Sequence, residues 1–104
     1  MQNETFQLRY LPLFEQDLLE TIDYITNVLQ NEDAADHLID DIEKAILKRL
    51  SNPLSYEPFP SAKQRDYPYY RIYVRNYTIF YVVIGNVMEV RRLIYNARDI
   101  DRLL

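Results

Sequence analysis

The spacing of apolar side chains changes several times along the chain, and each change predicts a new element. Residues 4–11 alternate between apolar and polar positions, which is typical of a strand with one buried face. From Pro12 onward, apolar residues recur every three or four positions, which predicts an amphipathic helix opened by a proline. The apolar face of the strand consists of Phe6, Leu8 and Tyr10, and that of the helix consists of Phe14, Leu18, Ile22, Ile25 and Leu29.

A second helical pattern follows the polar segment of residues 30–34, in which Asn31 or Asp33 is suited to cap a new helix. Pro53 ends this pattern, because proline cannot continue a helix and shifts the residue before it away from helical geometry. Residues 12–51 are therefore predicted to form an αα-hairpin. The apolar stripe of its second helix consists of Ala35, Leu38, Ile42, Ala45, Ile46 and Leu50.

The second half of the chain predicts an irregular connector followed by three strands. Four prolines fall within residues 52–68, which disfavours any regular element there. Turns are expected at Asn76 and at the pair Gly85-Asn86, since these residues tolerate positive φ. The predicted strands have period-two alternation, the tail is typical of a short helix, and these elements occupy residues 69–75, 77–84, 87–95 and 96–104.

The order of elements is thus β-α-α-β-β-β, which predicts an α+β fold. In this arrangement the helical hairpin packs on one face of a small antiparallel sheet and leaves the other face open. Strict alternation places Ile72, Val74 and Val90 toward the helices, with Met88 and Ile94 on the same side as Val90. The residues left for the open face are Arg71, Tyr73, Arg75, Arg91 and Tyr95.

A sheet face with several guanidinium groups and phenols has more than one interpretation. Guanidinium groups bind phosphates and aromatic rings stack on bases, so the face fits nucleic acid. Tyrosine and arginine are also enriched in the energetic centres of protein interfaces, so the face equally fits a protein partner. A purely structural explanation is that tyrosine forms strands well and that the arginines pair with Glu89, Asp66 or Asp99.

The length and charge of the chain narrow the possibilities. A chain of 104 residues is expected to form one domain, residues 1–104. Its net charge of −4 is unevenly distributed: residues 1–52 carry eleven acids against four bases, and residues 53–104 carry eight bases against five acids. The second half is therefore the one suited to meet an anion.

Several kinds of chemistry lack the residues that they need. The chain has no cysteine, one histidine (His37) and one glycine, so no zinc site, phosphate-binding glycine loop or cofactor is expected. No serine has a His–Asp pair at hand for a triad. No apolar run is long enough to span a membrane, and the N-terminus does not read as a signal peptide, so a cytoplasmic protein is expected.

Three segments together resemble the RelE/ParE superfamily of bacterial toxins from type II toxin–antitoxin systems. These are the helical hairpin "DLLETIDYITNVLQNEDAADHLIDDIEKAILKRLSNP", the strand pair "YYRIYVRNYTIFYVV" and the ending "VRRLIYNARDIDRLL". The resemblance spans nearly the whole chain and rests on the order and spacing of these segments. It implies the fold predicted above, and a toxin that a cognate antitoxin holds inactive by wrapping a segment around it.

The resemblance implies one of two activities. RelE-like members cleave mRNA on the ribosome without a metal, as mRNA interferases, and ParE-like members poison DNA gyrase; both kinds arrest growth and serve in plasmid stabilisation. The C-terminus "DRLL" lacks the Tyr or His-Tyr ending of many RNA-cleaving relatives, and the overall charge is acidic. The long helical hairpin is closer to the ParE branch.

Individual residues carry over from the resemblance as follows. Arg75 matches the arginine that ends the second strand of the family, Arg98 matches a basic position after the last strand, and Tyr95 is the nearest phenol for proton transfer. In an RNA-cleaving enzyme, Arg75 and Arg98 would stabilise the charge that develops on the phosphate, and Tyr95 or Lys63 would take a proton. The residues expected to bind RNA or a partner are Lys63, Arg65, Arg71, Tyr73 and Arg91.

Two other classes of protein remain compatible with the sequence. One is a catalytically silent module that binds only a protein partner. The other is a general nucleic-acid-binding α+β domain unrelated to toxins.

Overall fold

The computed structural model describes residues 5–61, 63 and 65–104, so Glu4, which the predicted first strand included, lies outside the described residues. The order of elements and the α+β class are confirmed, with a helical hairpin, a four-stranded sheet and a short C-terminal helix. The elements are β1 (Gln7–Tyr10), α1 (Pro12–Asp23) with a π-helical extension (Tyr24–Val28), α2 (Glu32–Leu50), β2 (Tyr70–Val74), β3 (Tyr77–Ile84), β4 (Val87–Tyr95) and α3 (Ile100–Leu103).

The start and end of each long helix follow from local chemistry. Pro12 occupies the first turn of α1, where its missing N–H costs no intrahelical bond. Gln30 adopts a positive φ of 50° and reverses the chain after the π-helical extension. The side chain of Asn31 then accepts a hydrogen bond from the Ala34 N–H at 3.1 Å, so the predicted asparagine cap of α2 is confirmed. Neither long helix, nor any other helix in the described part of the chain, is long and apolar enough to cross a membrane.

The sheet is mixed rather than purely antiparallel. Its strand order is β1-β4-β3-β2, and β1 runs parallel to β4 while the other pairs are antiparallel. The prediction of an antiparallel sheet is therefore wrong for its edge strand. The physical reason is that the helical hairpin and the strands after it separate β1 from β4 by a long connection, which a parallel pair of strands requires.

A β-bulge in β4 changes which side chains face the helices. Phe80 of β3 lies opposite Arg92, whereas the next residue, Tyr81, lies opposite Val90, so Arg91 is one extra residue in β4. Strict alternation does not count such an insertion. The predictions for Ile94 and Tyr95 are therefore both wrong: Tyr95 lies on the helix side, and Ile94 lies on the opposite side.

Each face of the sheet has its own apolar cluster. On the helix side, the hairpin packs onto the buried residues Ile72, Ile79, Tyr81, Met88 and Val90. The opposite face was predicted to be open, and this is only partly correct, because the connector and α3 cover its centre. The second cluster consists of Tyr69, Phe80, Val82 and Ile94, packed against Phe59, Ile84, Ile100, Leu103 and Leu104.

Candidate functional site

A cleft of about 710 Å³ lies between the helical hairpin and the end of the sheet at which the β2–β3 turn is found. The three residues predicted to be catalytic, Arg75, Tyr95 and Arg98, all line this cleft. The hairpin contributes Asp17 and Glu20 to the same cleft, together with the partly exposed side chains of Tyr24 and Leu29. The structure therefore brings the predicted trio together, but on the helix side of the sheet and among acidic residues.

Arg75 is held in an unusual backbone conformation at the β2–β3 turn. Its φ is +55°, a region that residues with a side chain beyond Cβ adopt rarely and at a cost of roughly 1–2 kcal/mol. The sequence pattern assigned this conformation to Asn76, so that prediction is wrong. The Arg75 guanidinium is half exposed, and its Nε donates to the carboxylate of Asp41 on α2 at 2.7 Å. The unfavourable conformation thus falls on an arginine although the next residue is an asparagine, which tolerates positive φ better.

Arg75→Asn should leave the free energy of unfolding unchanged or slightly raised, although it removes the ion pair to Asp41. Asparagine enters the positive-φ region more readily than arginine, and an exposed ion pair contributes only about 0–1 kcal/mol. Arg75→Val should be about 1–2 kcal/mol less stable than Arg75→Asn, because a β-branched residue is poorly accommodated there. Urea denaturation of both variants measures the difference, and equal stabilities would show that the backbone is not strained.

The phenol of Tyr77 in the cleft is better suited to donate a hydrogen bond than to remove a proton. The rings of Tyr77 and Tyr95 pack together with their centres 5.5 Å apart. Burial raises the pKa of Tyr77, and the neighbouring phenols of Tyr95 and Tyr24 raise it further. The Tyr77 hydroxyl therefore stays protonated at neutral pH, and it can donate a hydrogen bond to a ligand in the cleft.

Asp17 is the most extensively bonded carboxylate in the cleft, and sequence reasoning missed it. It accepts hydrogen bonds from Nε and a terminal nitrogen of Arg92, at 2.8 and 3.2 Å, and from the Leu93 N–H at 3.0 Å. This part of β4 extends beyond β1, so the carboxylate replaces the strand that would otherwise pair with it. The hydrogen bond to Asp17 is the main reason that the pKa of Arg92 is raised. No local pattern marks Asp17, because its partners lie 75 and 76 positions away.

Arg92 also links the cleft side of the molecule to the C-terminal helix. Its other terminal nitrogen donates to the carbonyl of Leu103 in α3 at 2.9 Å. Its guanidinium is thus shared between α1 and α3 around the free edge of β4. The exposed fractions of the Arg92 and Asp17 side chains are only 16% and 11%, so this ion pair is largely removed from water.

The opposite side of the sheet carries a second candidate site, which we call the basic face. It consists of Arg65, Arg71 and Arg91 with the aromatic residues Phe59, Tyr69 and Tyr73. The guanidinium carbon of Arg71 lies 5.3 Å from the ring centre of Phe59 and 5.7 Å from that of Tyr73. Those of Arg65 and Arg91 lie 4.5 and 5.8 Å from the ring centre of Tyr69. Phe80, which is fully buried, packs edge-on against both Phe59 and Tyr69 and connects the two halves.

Of the three arginines on the basic face, only Arg91 has a carboxylate partner within the described part of the chain. Its Nε donates to Glu89 at 2.8 Å, as the structural explanation expected, and Arg9 donates to the other oxygen of Glu89 at 2.7 Å. Burial alone would raise the pKa of Glu89, but the hydrogen bonds and charges of Arg91 and Arg9 outweigh burial and lower it. Glu89 therefore stays ionised and neutralises part of the charge at this end of the face.

The remaining predicted binding residue, Lys63, lies beside α3. Its Nζ donates to the carbonyl oxygen of Asp101 at 3.0 Å, and both residues line a second, shallower pocket. The structure thus separates the residues that alternation had placed on one face. Arg75 and Tyr95 line the cleft on the helix side, whereas Arg71, Tyr73 and Arg91 belong to the basic face.

Neither site is arranged as a metal centre. Within residues 5–61, 63 and 65–104, no group of three or more histidine, aspartate or glutamate side chains is placed to hold a metal ion. The cleft presents two guanidinium groups, two carboxylates and several phenols, with apolar side chains from the hairpin.

Comparison with solved structures identifies the class of fold. The chain is similar to a chain of the chromosomal ParDE TA system from P. aeruginosa, with a TM-score of 0.66 and 15% identity over 88% of this chain and 97% of that one. It is also similar to a chain of the E. coli DinJ-YafQ toxin-antitoxin complex, with a TM-score of 0.56 and 9% identity over 89% and 94% of the two chains. No curated protein sequence matches significantly. At these identities the similarity establishes that this chain shares the fold of those two chains.

The sequence assigns the chain more narrowly. Residues 8–100 match the family model for the ParE toxin of type II toxin-antitoxin system, parDE. The match covers most of the chain, which therefore belongs to the ParE toxin family and is a toxin of the type II toxin–antitoxin class. This confirms the resemblance that the helical hairpin, the strand pair and the C-terminal segment indicated.

Proposed function

We propose that this protein arrests growth by binding DNA gyrase in the cytoplasm and that a cognate antitoxin neutralises it. In this proposal the cleft, with Arg75 and Arg98 at its sheet side, recognises a protein surface rather than a scissile phosphate. Membership of the ParE family supports a toxin of this branch. The placement of the charged residues is the observation that carries the choice of activity.

An RNA-cleaving site needs its cations and its proton-transfer group around one phosphate. In this structure the phenol of Tyr95 lies in the cleft, whereas Arg71 and Arg91 lie on the basic face across the sheet. Within the cleft, Arg75 is already paired with Asp41, and Asp17 and Glu20 are nearby. Developing negative charge would therefore meet acids as well as bases, which removes much of the electrostatic stabilisation that such catalysis requires.

The balanced charge of the cleft suits a protein partner. Arginine and tyrosine at its sheet side and exposed apolar residues at its hairpin side are the side chains that dominate protein interfaces. Tyr24 and Leu29 are 51% and 56% exposed, so they are available for contact. The same surface fits an antitoxin segment, which would then exclude the target by occupying its site.

Purified gyrase with supercoiled plasmid DNA tests the proposed activity directly. Adding the toxin with ATP should produce linear DNA after the reaction is stopped with detergent and protease. The double variant Arg75→Ala/Arg98→Ala should require an at least about ten-fold higher concentration to produce the same amount of linear DNA. This factor corresponds to about 1.4 kcal/mol of binding free energy. The matched control Lys44→Ala/Lys48→Ala removes two cations from the exposed surface of α2 and should retain the effect.

A parallel reaction measures message integrity in a translation mixture. Codon-dependent cleavage of mRNA without linear DNA would overturn the gyrase proposal in favour of an RNA-cleaving toxin. One observation favours that second candidate, namely that Arg75, Tyr95 and Arg98 line one cleft. If neither DNA nor mRNA is broken and growth of the host is normal, the protein is a silent interaction module and both activities are refuted.

A further inference from the structure

The basic face takes no part in the protein binding proposed for the cleft. We propose that the basic face binds the phosphate backbone of DNA. The inference rests on the proposed function, because gyrase holds DNA and a toxin docked on it through the cleft leaves the opposite side of its sheet free. The following observations concern the basic face alone.

The guanidinium groups of this face have unused hydrogen-bonding capacity. Among the described residues, neither Arg65 nor Arg71 donates a side-chain hydrogen bond to a protein acceptor, and neither has a carboxylate within 4 Å. The Nε of Arg65 is buried and has no hydrogen-bond partner in the described structure. A buried donor without an acceptor is costly, so the guanidinium of Arg65 is held at this face without being satisfied by the protein.

The aromatic residues of the face hold the cations in place without neutralising them. Arg65 and Arg91 stack on the same ring, that of Tyr69, so their guanidinium carbons are at most about 10 Å apart. Arg71 is held in the same way by Phe59. Stacking restricts the long side chains before a ligand arrives, which reduces the entropy lost when a planar guanidinium binds a phosphate. The face thus presents several ordered cations over the surface of one sheet.

Charge and exposure favour nucleic acid over an acidic protein segment. Tyr73 lies next to Arg71 and is 64% exposed, so its ring is available to stack on a base. The acids of the chain are concentrated in residues 1–52, which contain the helical hairpin on the other side of the sheet. A polyanion is therefore repelled by one side of the molecule and attracted to the other, which orients it toward the basic face.

Fluorescence anisotropy with a fluorescein-labelled 16-nucleotide single strand, and with the corresponding duplex, tests this proposal on the intact protein. Wild-type protein should bind with an affinity that falls as salt rises. Arg65→Ala/Arg71→Ala should weaken binding at least about ten-fold and reduce the salt slope by about 1.4–1.8, since each lost phosphate contact contributes roughly 0.7–0.9. Lys44→Ala/Lys48→Ala removes the same charge from α2 and should change the affinity less than about two-fold.

Other outcomes would overturn the proposal. The proposal fails if binding does not depend on salt, or if the two double variants lose equal affinity. It also fails if RNA of the same sequence binds more tightly than DNA, or if an acidic peptide competes as well as DNA does. Arg71→Lys retains the positive charge but loses the planar, stacked group. Its affinity for DNA therefore separates the effect of the guanidinium from that of the charge. A circular dichroism melt verifies that each variant is folded. If gyrase-dependent DNA breaks form although the protein alone does not bind DNA, this inference fails while the proposed function stands.

Discussion

Replacing Asp17 with alanine should lower the free energy of unfolding by about 3–5 kcal/mol, the range expected when one partner of a buried ion pair is removed. The variant leaves the guanidinium of Arg92 without its carboxylate and the N–H of Leu93 without an acceptor. Both groups lie at the edge of β4, where no strand is available to replace the lost bonds. Because small domains are stable by only about 5–15 kcal/mol, urea denaturation should show a large shift of the midpoint.

Two other variants on the same helix separate the causes of this loss. Asp17→Asn keeps an oxygen for the Leu93 N–H but removes the charge opposite Arg92, so its loss should be intermediate. Glu15→Ala removes an exposed carboxylate and should change stability by no more than about 0.5 kcal/mol. A loss at Asp17→Ala as small as that at Glu15→Ala would show that the link between α1 and β4 contributes little.

Replacing Phe80 with alanine should cost about 3–5 kcal/mol, because a large aromatic ring is removed from a fully buried site. Phe80 is the ring on which Phe59 of the connector and Tyr69 pack edge-on, at 5.3 and 6.1 Å between ring centres. Through the ring of Phe59, the connector therefore packs onto the second apolar cluster at Phe80. Thermal and urea unfolding measure the loss.

One control changes the same residue to leucine, and the other removes an aromatic ring from the same face of the sheet. Phe80→Leu leaves a smaller cavity and should cost less than the alanine variant. Tyr73→Ala removes an aromatic ring that is mostly exposed, and it should scarcely alter stability. If Phe80→Ala and Tyr73→Ala had similar effects, the second apolar cluster would not be a true core.

The two surfaces described above suggest how one small toxin could act on a complex of protein and DNA. The cleft combines charges of both signs with exposed apolar side chains, whereas the basic face combines cations packed on aromatic rings with the exposed ring of Tyr73. They lie on opposite sides of one sheet. In the proposed arrangement the toxin contacts gyrase through the cleft and the DNA through the basic face, so variants of the two surfaces should impair different steps.

The fold was accessible from the sequence to a large extent, for identifiable reasons. Both helices display apolar stripes over several turns, and they are bounded by Pro12, Asn31 and Pro53. The β3–β4 turn contains the only glycine, Gly85, and its φ of +60° confirms the expected hairpin. These signals are local, because periodicity and turn chemistry depend on the backbone geometry of neighbouring residues.

The candidate site was accessible only in part. The arginines and tyrosines were identified from the sequence, but their distribution over two surfaces was not. The extra residue at Arg91 moved Tyr95 to the helix side, and a bulge has no sequence signal comparable to a glycine turn. Asp17 was missed because its role depends on where β1 ends relative to β4, which is a property of strand pairing.

The sequence by itself determined the order of elements, the apolar stripes that build the core, the uneven distribution of charge and the membership of the ParE family. The tertiary structure alone decided which of the predicted residues meet. It brought Arg75, Tyr95 and Arg98 into one cleft and placed Arg65, Arg71 and Arg91 across the sheet. The physical reason is that side-chain direction in a sheet depends on register, and register is set by contacts between strands distant in the sequence.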